Sequence, residues 1–460
     1  MSDSAHPLPW PRIAPRPRVA QAVLSLGAAG LAVKFAAWTR EMVLAGFFGR
    51  SDAMDAFLAA LLIPNLLVNL LGESMNQALI PTLVRVRLQQ GRARAQDLLS
   101  SSMTLVVAGV AAAALLMALL AHLAFPLLAS GFSPAKLALS VHLFYVLVPM
   151  VLFSAIAGNC AAVLNSTESF AVPALAALIV PATTILVVLA LHSPLGIWSV
   201  ALGCVAGTAF HAGTMAAAMP ASGYVLRLRW QRASPDLREV LRQYGAVFLS
   251  SIVASAGLLV DQAMAAMLPA GSISALVYGG RFVSVIVSLL GGAISAALVP
   301  YLSAMVARRD WPACRAALRR WPRIAALVSV PLAVVAIAGA SGIVRLTLQR
   351  GAFGAGDTAA VARVLAMYAI QIPFYVVSRI FYRFVLAMRR ADLVLACGTI
   401  NLALDVVLNI LLMRTMGAAG IALATSLWSV TTCALFAFWA HRLLARAETD
   451  GAPSADEVRA

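Results

Sequence analysis

Charged side chains are scarce in this chain. Asp, Glu, Lys and Arg make up 11% of its 460 residues, whereas hydrophobic residues make up 62%. A soluble domain does not bury so large an apolar fraction. The apolar residues also stand in blocks of about 18 or more, the length that crosses a bilayer as a helix, and the alternation of a membrane barrel is missing. The sequence therefore predicts an all-α polytopic membrane protein.

Motifs for catalysis and metal binding are missing as well. The five cysteines form no CxxC pair, and the sequence contains no HExxH motif and no Walker P-loop. We therefore expect no cofactor, no metal and no nucleotide-driven cycle. A membrane enzyme would need catalytic acids or bases on sizeable loops, but the predicted outer loops are mostly short and poor in carboxylates. These absences favour a transporter over an enzyme.

Twelve apolar spans are predicted. They lie near 20–48, 54–84, 99–128, 137–163, 169–192, 196–219, 244–268, 273–306, 324–347, 359–388, 392–413 and 417–441. If both termini are cytoplasmic, the loops on the outer side hold few basic residues: Arg50, Lys136, Arg345, Arg350 and Arg414. Most of the others fall on the inner side, so the bias predicts a multi-pass membrane protein with its N- and C-termini in the cytoplasm. The net charge of +16 then reflects inner-side loops facing anionic lipid, and no nucleic-acid partner is expected.

An internal repeat divides the chain. LLGESMNQALIPTL from Leu70 matches LLGGAISAALVPYL from Leu289, LGIWSVALG from Leu195 matches MGAAGIALA from Met416, and Glu41 falls opposite Asp261. An even number of spans per repeat predicts two parallel six-helix repeats around a central cavity. The expected organisation is a disordered cytoplasmic tail (1–19), an N-terminal lobe (20–221), a basic cytoplasmic linker helix (222–243), a C-terminal lobe (244–445) and a disordered tail (446–460).

Polar residues within the spans concentrate in the first two helices of each repeat, as expected for helices that line a cavity. Breaks are also predicted there, at Pro64 and Gly72 in the second span and at the glycine pairs 279–280 and 291–292 in the eighth. A guanidinium group in a cavity can hold a phosphate through paired hydrogen bonds. We therefore predict an anion site. Its expected substrate-binding residues are Arg40, Arg281, Lys34 and Asn65.

A second set of polar residues is predicted to orient these cations or to couple ion movement. It consists of Glu41, Asp55, Glu73, Gln77, Asp261 and Arg379. The alternative for every residue of both sets is structural, because intramembrane charges also pair between helices or extend towards the interface. For Asn65 and Gln77, hydrogen bonding between helices is an equal alternative. Asp405 is expected to be structural.

The run TREMVLAGFFGRSDAMDAFLAALLIPNLLVNLLGESMNQALIPTL, from Thr39, resembles the N-terminal signature of the MurJ/MviN lipid II flippases. That family belongs to the multidrug/oligosaccharidyl-lipid/polysaccharide exporter superfamily. A second run, YGGRFVSVIVSLLGGAISAALVPYLS, resembles the family's eighth span. By position, Arg40 and Arg281 match two of the family's cavity arginines, and Lys34 stands where a third arginine is usual. Asp55 and Asn65 match polar residues of its second span.

The resemblance implies a flippase that moves an undecaprenyl-pyrophosphate-linked glycan, lipid II in the first instance, to the outer leaflet for peptidoglycan assembly. Alternating access would be driven by the membrane potential or an ion gradient, with an unidentified coupling ion. The resemblance also implies a location in the bacterial cytoplasmic (inner) membrane, and the expected partners are this glycan lipid and the membrane lipids.

Two departures keep other substrates open. Val68 and Asn69 follow PNLL, where the family commonly has arginine, and twelve spans are predicted where members commonly have fourteen. One alternative is therefore a flippase for another lipid-linked oligosaccharide, of exopolysaccharide or capsule. More distant alternatives are a cation-coupled small-molecule exporter, a membrane glycan-assembly enzyme and a scaffold that transports nothing.

Overall fold

A computed structural model describes residues 17–167, 169–229 and 235–450, and within them every regular element is helical. The first half contains α1 (Pro17–Phe48), α2 (Asp52–Leu67), α3 (Ser74–Gln90), α4 (Arg92–Leu128), α5 (Pro134–Ser166), α6 (Ala171–Ala176), α7 (Ile179–Leu195) and α8 (Trp198–Ala218). The second half contains α9 (Pro235–Ala266), α10 (Ser272–Ala307), α11 (Trp311–Ala338), α12 (Ala340–Leu348), α13 (Ala355–Ala369), α14 (Gln371–Ala387), α15 (Ala391–Met416) and α16 (Ala418–Asp450). The prediction of an all-α fold is confirmed.

The helices have the length and surface of membrane spans. Among the described residues, 10 segments are long and apolar enough to cross a bilayer. The first and seventh predicted spans correspond to α1 and α9, each of 32 residues, or about 48 Å at about 1.5 Å per residue. Large apolar side chains stand exposed on the outside, for example Leu119 at 71% and Leu327 at 75%. Their exposure is explained if lipid, rather than water, surrounds them.

The two halves share one pattern of neighbours. In the first half, α5 packs against α2, α4 and α8, while α7 packs against α8 and α1. In the second half, α14 packs against α10, α11 and α16, while α15 packs against α16 and α9. Corresponding spans therefore meet in each half, which is the arrangement expected of two parallel repeats. We call residues 17–218 the N-terminal lobe and residues 235–450 the C-terminal lobe.

The two predicted helix breaks have different outcomes. In the second span, a π-helical segment, Val68–Glu73, follows Pro64 and joins α2 to α3, so this break is confirmed. The predicted break in the eighth span is wrong, because α10 is continuous. A glycine keeps its backbone N–H, so the helical hydrogen bonds can continue through it. Gly279 instead permits close packing, since a Cβ atom there would lie 2.7 Å from Cγ1 of Val364.

The linker differs from the single helix predicted over 222–243. Residues 224–229 are not helical, and α9 begins only at Pro235, a favourable first-turn residue. The carboxamide of Gln96 explains the extended segment: it accepts from the N–H of Val225 at 2.9 Å and donates to its carbonyl at 2.8 Å. At the ends, α1 and α16 extend into the predicted tails 1–19 and 446–460. The remainder of both tails lies outside the described residues.

Two hydrophobic cores are present. The larger one runs through the N-terminal lobe and the adjoining half of the C-terminal lobe. All buried members of the smaller one, among them Leu302, Cys314, Phe384 and Phe436, come from α10, α11, α14, α15 and α16. The smaller core lies at the end where α10 finishes and α11 starts. At that end, this part of the C-terminal lobe packs on itself rather than on the N-terminal lobe.

Candidate functional site

Three charged side chains from the two lobes meet between α1 and α10. The guanidinium of Arg40 donates to Oε1 of Glu41 at 2.6 Å, and Nη2 of Arg281 lies 3.4 Å from the same oxygen. Glu41 is buried at 7% side-chain exposure, whereas the Arg281 side chain is 49% exposed. One buried carboxylate therefore holds two cations, and the C-terminal lobe's cation remains accessible.

The sequence spacing on both helices explains why these residues meet. Glu41 lies seven residues after Lys34, and Ser288 lies seven after Arg281, so each pair spans two helical turns on one face. Because α1 and α10 run in opposite directions, Glu41 meets Arg281 while Lys34 donates to Oγ of Ser288 at 2.8 Å. Sequence reasoning missed Ser288, although the matching seven-residue spacing was a usable signal.

The polar residues of the second span are only partly described. Asn65 and Asn69, one helical turn apart, are exposed, and Val68 between them is half-buried. An exposed amide in the middle of an apolar span faces a water-filled space more readily than lipid. The side chains of Glu73 and Gln77 lie outside the described residues.

Asp55 lies at a different place, where the lobes meet at the end of α1. Its carboxylate accepts from the backbone N–H groups of Gly271 at 2.7 Å and Ser274 at 2.9 Å, at the start of α10. Lys136 of α5 also donates to it at 3.2 Å. A carboxylate at a helix N-terminus satisfies free N–H groups and interacts favourably with the helix dipole. Asp55 thus fastens the C-terminal lobe to the N-terminal lobe.

Backbone contacts close the same end. The N–H of Ala352 donates to the carbonyl of Gly46 at 2.8 Å. Gly351 next to it has φ of +57°, and a Cβ atom there would lie 2.2 Å from the same carbonyl oxygen. Arg50 adds a hydrogen bond to the carbonyl of Gly271 at 2.9 Å. The lobes are therefore in close contact at this end. At the other end α9 also joins them, because Arg85 of α3 pairs with Asp236 at 3.1 Å and with Glu239 at 2.6 Å.

A second acidic site lies inside the C-terminal lobe. Asp261 of α9 accepts from Asn409 at 2.7 Å and from Thr425 at 3.2 Å, and Asp405 is buried beside it at 4% exposure. Asp261 corresponds to Glu41 in the repeat, but its described contacts are all within the C-terminal lobe.

Arg379 has a third set of surroundings on α14. Its guanidinium lies over the ring of Tyr375, 4.4 Å from the centroid, and also bonds to the Tyr375 hydroxyl. The centroid of the Tyr382 ring lies 5.9 Å from the same guanidinium. The structure thus brings together Arg40, Glu41 and Arg281, with Lys34 on the same helix pair. It places Asp55, Asp261 and Arg379 at three other positions.

Two six-span lobes that meet tightly at one end and enclose a cationic cluster between them define a two-lobe membrane transporter. The family model described as lipid II flippase MurJ matches residues 44–451. The chain belongs to this family of transporters.

Relatives and solved structures agree with that assignment. A probable lipid II flippase MurJ of Synechocystis sp. is 27% identical over 422 residues, covering 88% of this chain and 78% of the relative. The lipid II flippase MurJ of Burkholderia cenocepacia is 26% identical over 361 residues, covering 76% and 70%.

The chain is similar in structure to a lipid II flippase MurJ in an inward closed conformation, with a TM-score of 0.78 at 22% identity over 90% of this chain and 87% of that one. An inward-facing MATE transporter of the MOP superfamily has the same TM-score at 11% identity, covering 94% and 100%. At these identities the likeness concerns the fold.

Proposed function

We propose that this chain is a flippase that carries an undecaprenyl-pyrophosphate-linked glycan, lipid II by family, from the inner to the outer leaflet by alternating access. The lipid tail stays in the bilayer while the charged head group crosses between the lobes. Membership of the family and the two-lobe fold support this function.

The observation that carries the proposal is the carboxylate shared by Arg40 and Arg281. Glu41 balances only one of the two guanidinium charges, and the 3.4 Å contact to Arg281 is the longer of the two. An anionic head group that enters between the lobes meets an accessible guanidinium, which binds phosphate through two parallel N–H donors. A pyrophosphate held by both arginines replaces Glu41 as their partner. Binding then changes the contact between α1 and α10, and with it the contact between the lobes. Lys34 and Asn65 complete the site.

The orientation is part of the proposal. Both termini face the cytoplasm of a bacterial inner membrane, because the arginine-rich loops then lie inside. The end closed by Asp55 and Gly351 is consequently the outer face, and the end with the smaller core and the contact between α3 and α9 is the inner face. In the proposed cycle the cargo enters from the inner leaflet.

Energy coupling is proposed to use the membrane potential or an ion gradient. Asp261 and Asp405 are the described candidates for binding the coupling ion, because two neighbouring buried carboxyl groups attract a proton or a cation. The identity of the ion is left open.

Another lipid-linked oligosaccharide is the second candidate cargo. It is favoured by Val68, which is apolar and half-buried at the position where the family commonly has arginine. A site with one guanidinium fewer still binds pyrophosphate but has less charge for additional anionic groups.

The test is complementation of conditional lipid II flippase depletion. We expect rescue by the wild type and loss of rescue by Arg40→Ala and Arg281→Ala. Arg94→Ala, which removes an exposed arginine from the start of α4, is the matched control and should rescue. Membrane levels of each variant are compared by immunoblot.

The outcomes separate the alternatives. Rescue by both cavity variants would refute the arginine site. Failure of the wild type at normal membrane level would refute lipid II as the cargo, and a flipping assay with other lipid-linked glycans would then test the second candidate.

A further inference from the structure

The inner end of the C-terminal lobe carries a concentrated basic surface, which we call the α10–α11 arginine corner. It consists of Arg308, Arg309, Arg319, Arg320 and Arg323, all exposed. Asp310 is the only acidic residue between 301 and 330, and it caps α11 by accepting from the N–H of Ala313 at 3.1 Å. In the described part of the chain, the neighbouring Arg315 pairs with Glu448, and no ion pair involves the five corner arginines.

The corner continues directly into a lipid-facing stripe. At about 100° per residue, Arg319, Arg320 and Arg323 share one face of α11 with Leu327 and Val334. These two apolar side chains are 75% and 57% exposed. The opposite face of α11 is buried in the smaller core through Cys314, Ala317, Leu318 and Ala325.

This order of groups along the helix fits one kind of ligand. Arginines come first, and bare apolar surface follows within about 6 Å, which is one helical turn. Half-buried Trp311 and Trp321 belong to the same stretch of α11 but pack against the smaller core. Tryptophan is enriched at the membrane interface, where lipid head groups lie. A diacyl phospholipid has the complementary order, with an anionic phosphate at the interface and acyl chains below it.

The first repeat offers an internal comparison. The corresponding surface has Arg85 and Arg87 at the end of α3 and Arg92 and Arg94 at the start of α4. Arg85 pairs with Asp236 and Glu239, and Arg87 donates to the carbonyl of Ser166. Arg92 is already engaged by the carbonyl of Ser222 and the ring of Tyr224. The accessible basic surface is therefore a property of the C-terminal lobe. It holds more arginines than the positive-inside bias needs to orient the chain.

We propose that the α10–α11 arginine corner is a binding site for an anionic phospholipid of the inner leaflet, with its phosphate on Arg319, Arg320 and Arg323 and an acyl chain along Leu327 and Val334. The site relies on the orientation proposed above but is separate from the cargo site. It anchors the part of the C-terminal lobe that packs apart from the N-terminal lobe.

The test is native mass spectrometry of the purified full chain in detergent, titrated with dioleoyl-phosphatidylglycerol, dioleoyl-phosphatidylcholine or inorganic phosphate. The variant is Arg319→Gln/Arg320→Gln/Arg323→Gln. Its matched control is Arg94→Gln/Arg227→Gln/Arg229→Gln, which removes the same charge from exposed inner-side positions. The elution profile and thermal transition of each protein establish that it is folded.

We expect the wild type and the control to retain phosphatidylglycerol in preference to phosphatidylcholine. The corner variant should bind phosphatidylglycerol at least about tenfold more weakly, because each arginine near an anionic lipid contributes roughly fivefold. Three results would overturn the proposal: equal binding by the corner variant, an equal loss in the control, or equal retention of the two lipids. Displacement of phosphatidylglycerol by inorganic phosphate at matched concentration would also overturn it, because the site would then not recognise acyl chains. None of these results depends on glycan-lipid transport, so the proposal can fail while the proposed function stands.

Discussion

Replacing Asp55 by asparagine should open the end of the transporter that we propose faces outwards. Asp55 is 1% exposed and its carboxylate accepts from two backbone N–H groups at the start of α10 and from Lys136. The asparagine side chain has only one acceptor oxygen. Its NH2 group then faces one of the donors that the second carboxylate oxygen of Asp55 accepts from. The variant loses at least one charge-assisted hydrogen bond, worth about 1.5 to 3 kcal/mol, and leaves an N–H group without a partner.

The favourable interaction with the helix dipole is lost as well, at about 0.3 to 1 kcal/mol. Together these terms weaken the closed state by about 2 to 4 kcal/mol. At about 1.4 kcal/mol per factor of ten, the ratio of outer-closed to outer-open molecules should fall about 30- to 700-fold.

Spin labels across the outer face would measure this change. Ala135 in the first turn of α5 and Ala359 in α13 are exposed on opposite lobes. Both can be replaced by cysteine in a background without the five native cysteines. Pulsed electron–electron double resonance should show one short distance between the two labels in the parent protein. Asp55→Asn should show an additional, longer distance.

Asp52→Asn is the matched control. Asp52 also bonds to Lys136, at 2.6 Å, but its side chain is 65% exposed, and a surface pair contributes about 0 to 1 kcal/mol. The reasoning is refuted if Asp55→Asn keeps the parent distance distribution, or if Asp52→Asn changes it as much.

Three further predictions concern separate sites. Gly351→Ala should lower the thermal transition and block rescue, because a side chain at φ of +57° is strained by roughly 1 to 2 kcal/mol and its Cβ clashes. Gly356→Ala, in the first turn of α13 with open space around it, should not lower the transition, and equal behaviour of the two variants would contradict the clash. Gln96→Ala should speed limited proteolysis of the linker, since both hydrogen bonds to Val225 are lost, and an unchanged cleavage rate would show that they do not hold the linker. Arg281→Lys should keep the charge but lose the bidentate geometry, so flipping of the glycan lipid should fall about tenfold; a wild-type rate would show that charge alone suffices.

The helices could be predicted from the sequence because apolar length and glycine or proline placement are local properties. The adjacency of Arg40 and Glu41 in the chain also made their pairing predictable. The contact between Glu41 and Arg281 depends on how α1 and α10 face each other in the fold. A local sequence pattern does not predict this packing. The seven-residue spacing on both helices indicated it only once their opposite directions were known.

The errors have physical causes. Glycines in α10 were interpreted as breaks, but the backbone of Gly279 continues the helix and lets Val364 approach. Asp55 stays a predicted orienting or ion-coupling residue. Its partners in the structure are Lys136 and two backbone N–H groups, and contacts to the backbone cannot be read from a sequence. The linker was predicted to be helical from its composition, but the amide of Gln96 competes for the backbone of Val225.

The shared carboxylate of Glu41 has an electrical consequence for the proposed cycle. Two guanidinium groups, the ammonium of Lys34 and one carboxylate leave the proposed site with two net positive charges when it is empty. A pyrophosphate diester brings about two negative charges, so the loaded site is close to neutral. In the proposed cycle, a potential that is negative inside would act on the empty site by about 2.3 kcal/mol per charge per 100 mV and draw it inwards, whereas the loaded site would cross with little electrical work. Glu41 would thus act as the counter-ion that lets a doubly charged cargo neutralise its site.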